Sequence, residues 1–236
     1  MSAPADAARK FDPARAGEYE VQSRIALAGY DACHELSACM LAAALGSGGT
    51  AEILVAGAGG GAREIVTAGT LEPGWRFVAV DPSQPMLDLA VARLGEAGLL
   101  ERTEIRLGTV DDLPAERRFD AATLIGVLHH LPGDEAKRAI LGSIAARLKP
   151  GAPLILAGNR FAYASRPLLL TAWGERWRMH GAGPEEVQAK LGRILQGADP
   201  PASEEAVAEL LAETGFGPPT GFFSSLFWAA WLVRRV

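Results

Sequence analysis

Three groups of residues in this sequence have the types and spacing that chemistry at a bound small molecule needs. The stretch "ILVAGAGGGAREIV", residues 53–66, interrupts an apolar run with a glycine-rich turn that lets the backbone approach a ligand. Asp81 ends the next apolar run, where its carboxylate can accept hydrogen bonds from both hydroxyls of a ribose. His129 and His130 follow a later apolar run and are candidate general bases.

The glycine-rich turn satisfies two loop patterns at once. Gly57, Gly59 and Gly61 fit the G-x-G-x-G pattern of enzymes that bind S-adenosylmethionine, whereas Gly57, Gly59 and Ala62 fit the G-x-G-x-x-G/A pattern of dinucleotide binders. A pyrophosphate uses the positive end of the following helix, whereas a sulfonium cofactor needs only close approach of the backbone. Asp81 suits either ligand, and its alternative role is to cap the next helix, for which Ser83 competes. The turn alone leaves both cofactors open.

The elements around these residues alternate between strands and helices. Apolar runs predict strands at 51–56, 76–80, 104–108, 119–126 and 153–158, and helical spacing predicts a helix after most of them, one with Ser83 as its N-cap. Strands that alternate with helices form βαβ units, so the pattern predicts a parallel sheet. Residues 18–45 suit one or two amphipathic helices.

The pattern changes after Asn159. Residues 162–197 are mostly helical with an interruption at 181–184, and a further helix at 203–215 begins with Ser203 as its cap. Two strand-like runs, "GFFSS" and "FWAAWLVRR", then predict an antiparallel hairpin. A nicotinamide-binding domain would normally continue with another parallel strand, so the hairpin favours S-adenosylmethionine. The helix after Asp81, with Met86 in its first turn, can cover an adenine.

These stretches resemble the class I S-adenosylmethionine-dependent methyltransferases. The resemblance rests on "ILVAGAGGG", "FVAVDPSQPMLDLA", "FDAATLIGVLHHL" and "IAARLKPGAPLIL", in that order. It implies an α/β Rossmann-like fold, with a mostly parallel seven-stranded sheet, a terminal antiparallel hairpin, a helical N-terminal segment and a helical lid insert. One departure is clear. The family usually has an acidic residue just before the glycine loop, for a water-mediated contact to the methionine amino group, and Val55 stands there.

We therefore predict a flexible tail and one methyltransferase domain. The tail covers residues 1–17 and the domain covers residues 18–236. Within the domain we expect N-terminal helices at 18–46, the cofactor-binding core at 51–158, the lid at 160–200, and the final helix with the hairpin at 203–236.

The flanks carry a narrower resemblance to carboxy-S-adenosylmethionine synthase, a methyltransferase-like enzyme of tRNA wobble-uridine modification. It rests on "FDPARAGEYEVQSRIALAGYDACHELSACML" and on the insert before "FFSSLFWAAWLVRR". The two resemblances together imply cofactor contacts by Tyr30, Gly57, Ala58, Gly59, Gly61, Asp81, Pro82 and Met86.

Other positions depart from the synthase pattern. Its adenine-contacting aspartate falls on Thr109, with Val110 next and Asp111 close enough to substitute, and its strand asparagine falls on Ile125. The arginine that binds the extra carboxylate would fall near Lys190 or Arg193, and lysine does not replace a bidentate arginine. We expect the architecture to be shared and the carboxylated cofactor not to be.

The N-terminal segment and the insert usually fold over the substrate in this architecture. Their candidate substrate-lining residues are Tyr19, Arg160, Trp173, Arg176 and His180. The arginines bind an acidic acceptor or form a solvated face. Trp173 and Trp177 share one helical face, which either packs in the core or lines an aromatic pocket. The alternative for His129 and His130 is a packing role in their loop.

The charge and the cysteines bear on the partners and the location of the protein. The 236 residues carry a formal charge of −5, which disfavours a nucleic-acid partner. Cys33 and Cys39 have no metal-ligand spacing, and no segment suits a signal peptide or a membrane span, so we expect a cytoplasmic location and no membrane partner. We expect no metal, because methyl transfer from a sulfonium needs none. A homodimer is implied only by resemblance.

The function we predict is methyl transfer from S-adenosylmethionine to a small organic acceptor, with S-adenosylhomocysteine as the product. One alternative is a carboxy-S-adenosylmethionine synthase. The other is a non-catalytic protein that keeps the cofactor fold and binds a partner.

Overall fold

The computed structural model describes residues 16–236 of the chain, with side chains from residue 21 onward. Residues 1–15 of the predicted tail lie outside the described residues, and its last two residues, 16 and 17, belong to the first helix. The eight helices of the described part are α1 (Ala16–Ala26), α2 (Tyr30–Leu45), α3 (Arg63–Leu71), α4 (Gln84–Glu96), α5 (Gly133–Arg147), α6 (Pro167–Met179), α7 (Pro184–Gly197) and α8 (Glu204–Glu213). The seven strands of that part are β1 (Glu52–Ala56), β2 (Arg76–Asp81), β3 (Thr103–Leu107), β4 (Ala121–Ile125), β5 (Pro153–Asn159), β6 (Thr220–Ser225) and β7 (Trp228–Arg234).

The strands form one sheet in the order β3-β2-β1-β4-β5-β7-β6. The first five strands pair in parallel, and β7 pairs antiparallel with both β5 and β6. The predicted parallel sheet with a terminal antiparallel hairpin is confirmed. The strand order reverses between β1 and β4, and in open α/β sheets ligands bind in the crevice at such a reversal.

Helices cover both faces of the sheet, which is why the central strands are apolar along their whole length. On one face, Leu54 and Leu124 pack with Leu141 of α5 and Leu211 of α8. On the other face, Ile53 packs with residues of α2, α3 and α4, among them Leu41, Ile65 and Leu94. The two apolar layers hold the carboxyl ends of the parallel strands at one edge.

The predicted lid consists of α6 and α7, which lie against α1. The Trp173 indole N–H donates to the Ala26 carbonyl at 2.7 Å, and the Arg176 guanidinium donates to the carbonyls of Ile25 at 2.8 Å and Arg24 at 3.0 Å. These donors satisfy carbonyl groups at the C-terminal end of α1, which a helix end leaves without partners of its own. The contacts tie together parts of the chain that are far apart in sequence.

Asp199, just after α7, fastens the lid to the loop that follows β4. Its carboxylate accepts from the Gly133 N–H at 2.7 Å and from the Lys137 ammonium at 3.1 Å, and its own N–H donates to the His129 carbonyl at 2.7 Å. The Lys137 side chain is only 1% exposed. None of the helices described for residues 16–236 is long and apolar enough to span a membrane.

Candidate active site

The glycine-rich turn lies between β1 and α3, at the carboxyl edge of the sheet. The N–H groups of Gly57 and Ala58 both donate to the Val80 carbonyl at the end of β2, at 2.8 and 3.2 Å. Gly57 has a φ of +72°, and a Cβ on it would lie 2.3 Å from Cγ2 of Val127. Glycine is therefore required at position 57, both for the backbone conformation and for the close approach of the loop after β4.

Asp81, at the end of β2, closes the other side of this turn. One carboxylate oxygen accepts from the Gly59 N–H at 3.0 Å, and the other accepts from the Ser83 N–H at 2.9 Å. Burial raises the pKa of Asp81, and these two bonds oppose that rise. Ser83 occupies the predicted N-cap position of α4, but its hydroxyl makes no capping bond and is buried without a partner. The predicted Ser83 cap is wrong because Asp81 holds that turn instead, whereas Ser203 caps α8 as predicted, accepting from the Ala206 N–H.

The other residues predicted to contact the ribose and the adenine lie after β2 and after β3. Pro82 follows Asp81 and is exposed, and Met86 is buried with its Cε 3.3 Å from the position of a Cβ on Gly60. Thr109 forms a capping box with Asp112 around the short helical turn Val110–Asp112. Asp111 accepts from the Ser143 hydroxyl of α5 at 2.6 Å. The proposed substitution of Asp111 for an adenine contact stays a prediction, and the structure turns its carboxylate toward α5.

A cavity of about 570 Å³ opens beside the glycine turn and continues under the lid. Of the predicted cofactor residues, it is lined by Tyr30, Gly57, Ala58, Gly59, Gly61 and Ile125. Of the predicted catalytic and substrate residues, it is lined by His129, His130 and Trp173. The structure therefore brings the turn, the histidines and the lid to one cavity.

On the α2 side of the cavity, Tyr30 lies over the glycine turn. Its hydroxyl is 3.4 Å from the position of a Cβ on Gly61, and its ring packs edge-on against the His34 ring, with centroids 4.6 Å apart. Burial lowers the pKa of His34 to about 4, so this imidazole is neutral, and its Nδ1 is buried without a partner. Arg63 begins α3 beside it and pairs with Asp31 at 3.1 Å.

Glu64 also lines the cavity, on the first turn of α3. It is 8% exposed, and burial raises its pKa to about 8, with the Asp81 carboxylate as a further contributor. Sequence reasoning missed this residue. The available signal was an acidic residue directly after a glycine loop whose usual acidic neighbour is absent.

His129 and His130 occupy different surroundings in the loop after β4. His129 is 4% exposed, and its ring packs against those of His130 and Trp228, with centroid distances of 4.3 and 5.4 Å. The Asn159 N–H points at Nδ1 of His129 from 3.5 Å, which favours the tautomer with the proton on Nε2. His130 is exposed at the cavity wall.

The lid side of the cavity contains residues that the sequence analysis did not select. The Asn159 amide donates to the Tyr163 hydroxyl at 2.7 Å, while its Oδ1 is buried without a partner. Tyr163 packs against Trp173 and Phe227, with ring centroids 5.7 and 5.0 Å away. Asn159 had a detectable signal, because it is a polar residue at the carboxyl end of a buried strand.

Several predicted substrate residues lie outside the cavity wall. Arg160 pairs with Glu204 and also donates to the Ser224 hydroxyl, and Arg176 holds the end of α1. His180 is exposed at the end of α6, where its Nδ1 faces the Arg176 carbonyl. The side chain of Tyr19 lies outside the described residues. For residues 21–236, no group of three histidine, cysteine or acidic side chains suits a metal ion.

Comparison with known proteins agrees with this geometry. Residues 54–154 match the model of a family described as a methyltransferase domain. No curated protein matches the chain significantly.

Solved structures of similar fold include three named methyltransferases. Mitomycin 7-O-methyltransferase has a TM-score of 0.60 and 21% identity, over 86% of this chain and 54% of that one. The N,N-8-amino-8-demethyl-D-riboflavin dimethyltransferase of Streptomyces davawensis has a TM-score of 0.56 and 21% identity, over 78% of this chain and 49% of that one. Human N-acetylserotonin methyltransferase, in complex with S-adenosylmethionine, has a TM-score of 0.55 and 18% identity, over 78% and 47%. The chain thus spans about half the length of these structures, and the likeness is one of fold.

Proposed function

We propose that this chain, whose residues 54–154 match a methyltransferase-domain family, is an S-adenosylmethionine-dependent methyltransferase of class I that methylates a small organic acceptor enclosed beneath the lid. The observation that supports this proposal is the continuous cavity, which runs from the glycine turn to Tyr163 and Trp173. Its volume of about 570 Å³ falls within the range of roughly 300–1,000 Å³ typical of small-molecule sites.

The residues around the glycine turn fit S-adenosylmethionine. The turn has no side chains that would fill the space beside Tyr30, and Asp81 presents a buried carboxylate at its edge. Gly57, Gly59 and Gly61 would hold the cofactor by close backbone approach, and Asp81 would accept from its ribose hydroxyls. When bound, S-adenosylmethionine supplies an electrophilic methyl group.

The residues on the lid side suit a planar acceptor that carries a hydrogen-bond donor. Trp173, Tyr163 and Trp228 provide aromatic walls, and the buried Oδ1 of Asn159 can accept from a hydroxyl or an amine. Orienting such a group and excluding water are the main tasks of these walls.

Of the two histidines, His130 suits the role of base better than His129. The 3.5 Å contact of the Asn159 N–H with Nδ1 of His129 favours the tautomer with the proton on Nε2, in which Nε2 donates a hydrogen bond rather than accepts a proton. His130 lines the cavity from an exposed position. We therefore assign proton removal to His130 and positioning to His129.

The first experiment measures binding by native mass spectrometry and calorimetry. The ligands are S-adenosylmethionine, S-adenosylhomocysteine, carboxy-S-adenosylmethionine and NAD. The proposal expects the first two to bind and NAD not to bind. Incubation with S-adenosylmethionine and a panel of phenols and aromatic amines should then yield a methylated product, and His130→Ala should lower kcat more than His129→Ala. Binding of the cofactor without transfer to any acceptor would instead favour a non-catalytic binding protein.

Arg193 keeps carboxy-S-adenosylmethionine synthesis as a second candidate. Of the two residues near the predicted carboxylate-binding position, Arg193 lines the cavity, whereas Lys190 donates to Gln22 and lies over the Trp177 ring. A guanidinium at the wall can bind a carboxylate by two hydrogen bonds. Tight binding of the carboxylated form that is lost in Arg193→Gln would favour this candidate.

Two further properties belong to the proposal. We propose a cytoplasmic location, since Cys33 and Cys39 are free thiols, and a homodimer, which the flanking resemblance implies. Fractionation of cells that express the full chain tests the first property, and light scattering of the purified protein tests the second.

A further inference from the structure

We propose that Glu64 binds the α-ammonium group of the cofactor's methionine moiety, in place of the acid that the family usually carries where this chain has Val55. The inference rests on the proposed function, because it assumes that S-adenosylmethionine occupies the cavity beside the glycine turn. It places the carboxylate that binds this ammonium group on α3 rather than on β1.

Val55 is not able to perform this task. It lies in the middle of the buried sheet, is 1% exposed, and packs with the apolar residues between β1 and α2. An amino acid moiety at the glycine turn therefore meets no carboxylate on β1, and its ammonium group needs a partner from another element.

Glu64 is well placed to be that partner. It is the second residue of α3, and side chains in a helix lean toward the helix N-terminus, which here is the glycine turn. It lines the same cavity as Gly57, Gly59 and Gly61. Glu64 thus lies at the end of the cavity where the methionine moiety of a cofactor held by this turn would lie.

The surroundings of Glu64 lack a matching cation. Its carboxylate accepts a hydrogen bond from its own backbone N–H, and within residues 21–236 no side chain forms an ion pair with it. The charged and titratable groups around it are Asp81, Cys33, His34, Tyr30 and Arg63. Asp81 repels it, His34 is neutral, and Arg63 pairs with Asp31.

A buried carboxyl without a cationic partner is unfavourable unless it is neutral or unless a ligand brings the charge. Burial does hold its pKa far above the ordinary range, to about 8. An ammonium group that enters the cavity would lower this pKa, so binding near neutral pH should release a proton from Glu64. This release distinguishes the proposal from a purely structural role.

The test compares two ligands by calorimetry in the full-length protein near neutral pH. S-Adenosylhomocysteine carries the ammonium but no sulfonium, and 5′-methylthioadenosine lacks the amino acid moiety altogether. Glu64→Gln should weaken S-adenosylhomocysteine roughly ten- to a hundredfold, since a hydrogen bond to a charged group is lost, and should leave 5′-methylthioadenosine unchanged. Titrations in buffers of different ionisation enthalpy should show proton release for wild type with S-adenosylhomocysteine and none for the variant. Glu35→Gln, on an exposed position of α2, makes the same substitution away from the cavity and should change neither value.

The other outcomes overturn the proposal in distinguishable ways. Unchanged affinity and proton release in Glu64→Gln would show that the ammonium group lies elsewhere. Equal weakening of both ligands would show that Glu64 only supports the turn. If wild type binds neither ligand, the proposed function fails, and this inference fails with it.

Discussion

Replacing Gly57 by alanine should destabilise the protein for two separable reasons. The φ of +72° at this position disfavours a residue with a Cβ, at about 1–2 kcal/mol. The new Cβ would also lie 2.3 Å from Val127 Cγ2, and because valine is short and branched, the overlap forces the two loops apart. Overpacking of this kind costs about 1–3 kcal/mol. We therefore expect a total loss of about 2–5 kcal/mol in the free energy of unfolding.

Truncation of Val127 separates the two contributions. In a Val127→Ala background the nearest atom to the new Cβ is the Cβ of residue 127, at 3.6 Å, which is an ordinary contact. Gly57→Ala should then cost only the backbone part, about 1–2 kcal/mol. Gly142→Ala is the matched control, because Gly142 lies inside α5 with no atom within 4 Å of a new Cβ. This control should stabilise the protein by about 0.5–1 kcal/mol.

Urea unfolding of the four variants and the wild type measures these values. Gly57→Ala should shift the midpoint downward by roughly 1 M, given a slope of about 3 kcal/mol/M. An equal cost in both backgrounds would refute the overlap with Val127. No cost in either would show that the turn does not adopt the described conformation.

Three further predictions test the site and its supports. Asp81→Asn should lower stability by about 1–3 kcal/mol, because an amide cannot accept from both backbone N–H groups, and should abolish S-adenosylhomocysteine binding; unchanged binding in calorimetry would refute the ribose role. Asp199→Asn should lower the melting temperature through a loss of about 1–2 kcal/mol, since it strands the Lys137 ammonium, and Lys137→Met in the same chain should restore most of the loss; no recovery would refute the pairing. The folded protein holds the Glu64 proton more tightly than the unfolded chain, so its stabilisation is complete below the ordinary pKa of 4.5 and is lost as pH rises through about 8. Unfolding of the apo protein across that range should show this loss in wild type, and a similar loss in Glu64→Gln would contradict it.

The sheet and the glycine turn could be predicted because their signals are local. Strands buried on both faces must be apolar throughout, so β1, β2, β4 and β5 are legible as short runs. The glycine turn could be predicted because the spacing of its glycines is visible in the sequence. The expected place of Asp81 at the end of β2 follows from the same alternation.

The partners of long polar side chains could not be predicted, because distant segments decide them. Arg176 faces the end of α1, and Asp111 faces Ser143, through packing that no local pattern encodes. Ser83 had the right position for a cap, yet Asp81 two residues earlier makes the bond. Asn159 and Glu64 had positional signals, one at a strand end and one after the glycine turn, but only the structure shows that both side chains are buried.

The hold of Trp173 and Arg176 on the end of α1 has a consequence for how acceptor preference can change. The walls on the acceptor side come largely from chain that does not belong to the sheet, whereas the cofactor end comes from strand termini. If the proposed methyl transfer is correct, a graft of α6 and α7 from a related fold should change the acceptor preference while the cofactor end stays intact. Such a graft must carry α1 with it, because the exchanged helices would otherwise meet unmatched carbonyl groups. We therefore expect α1 and the pair α6–α7 to be exchangeable only together.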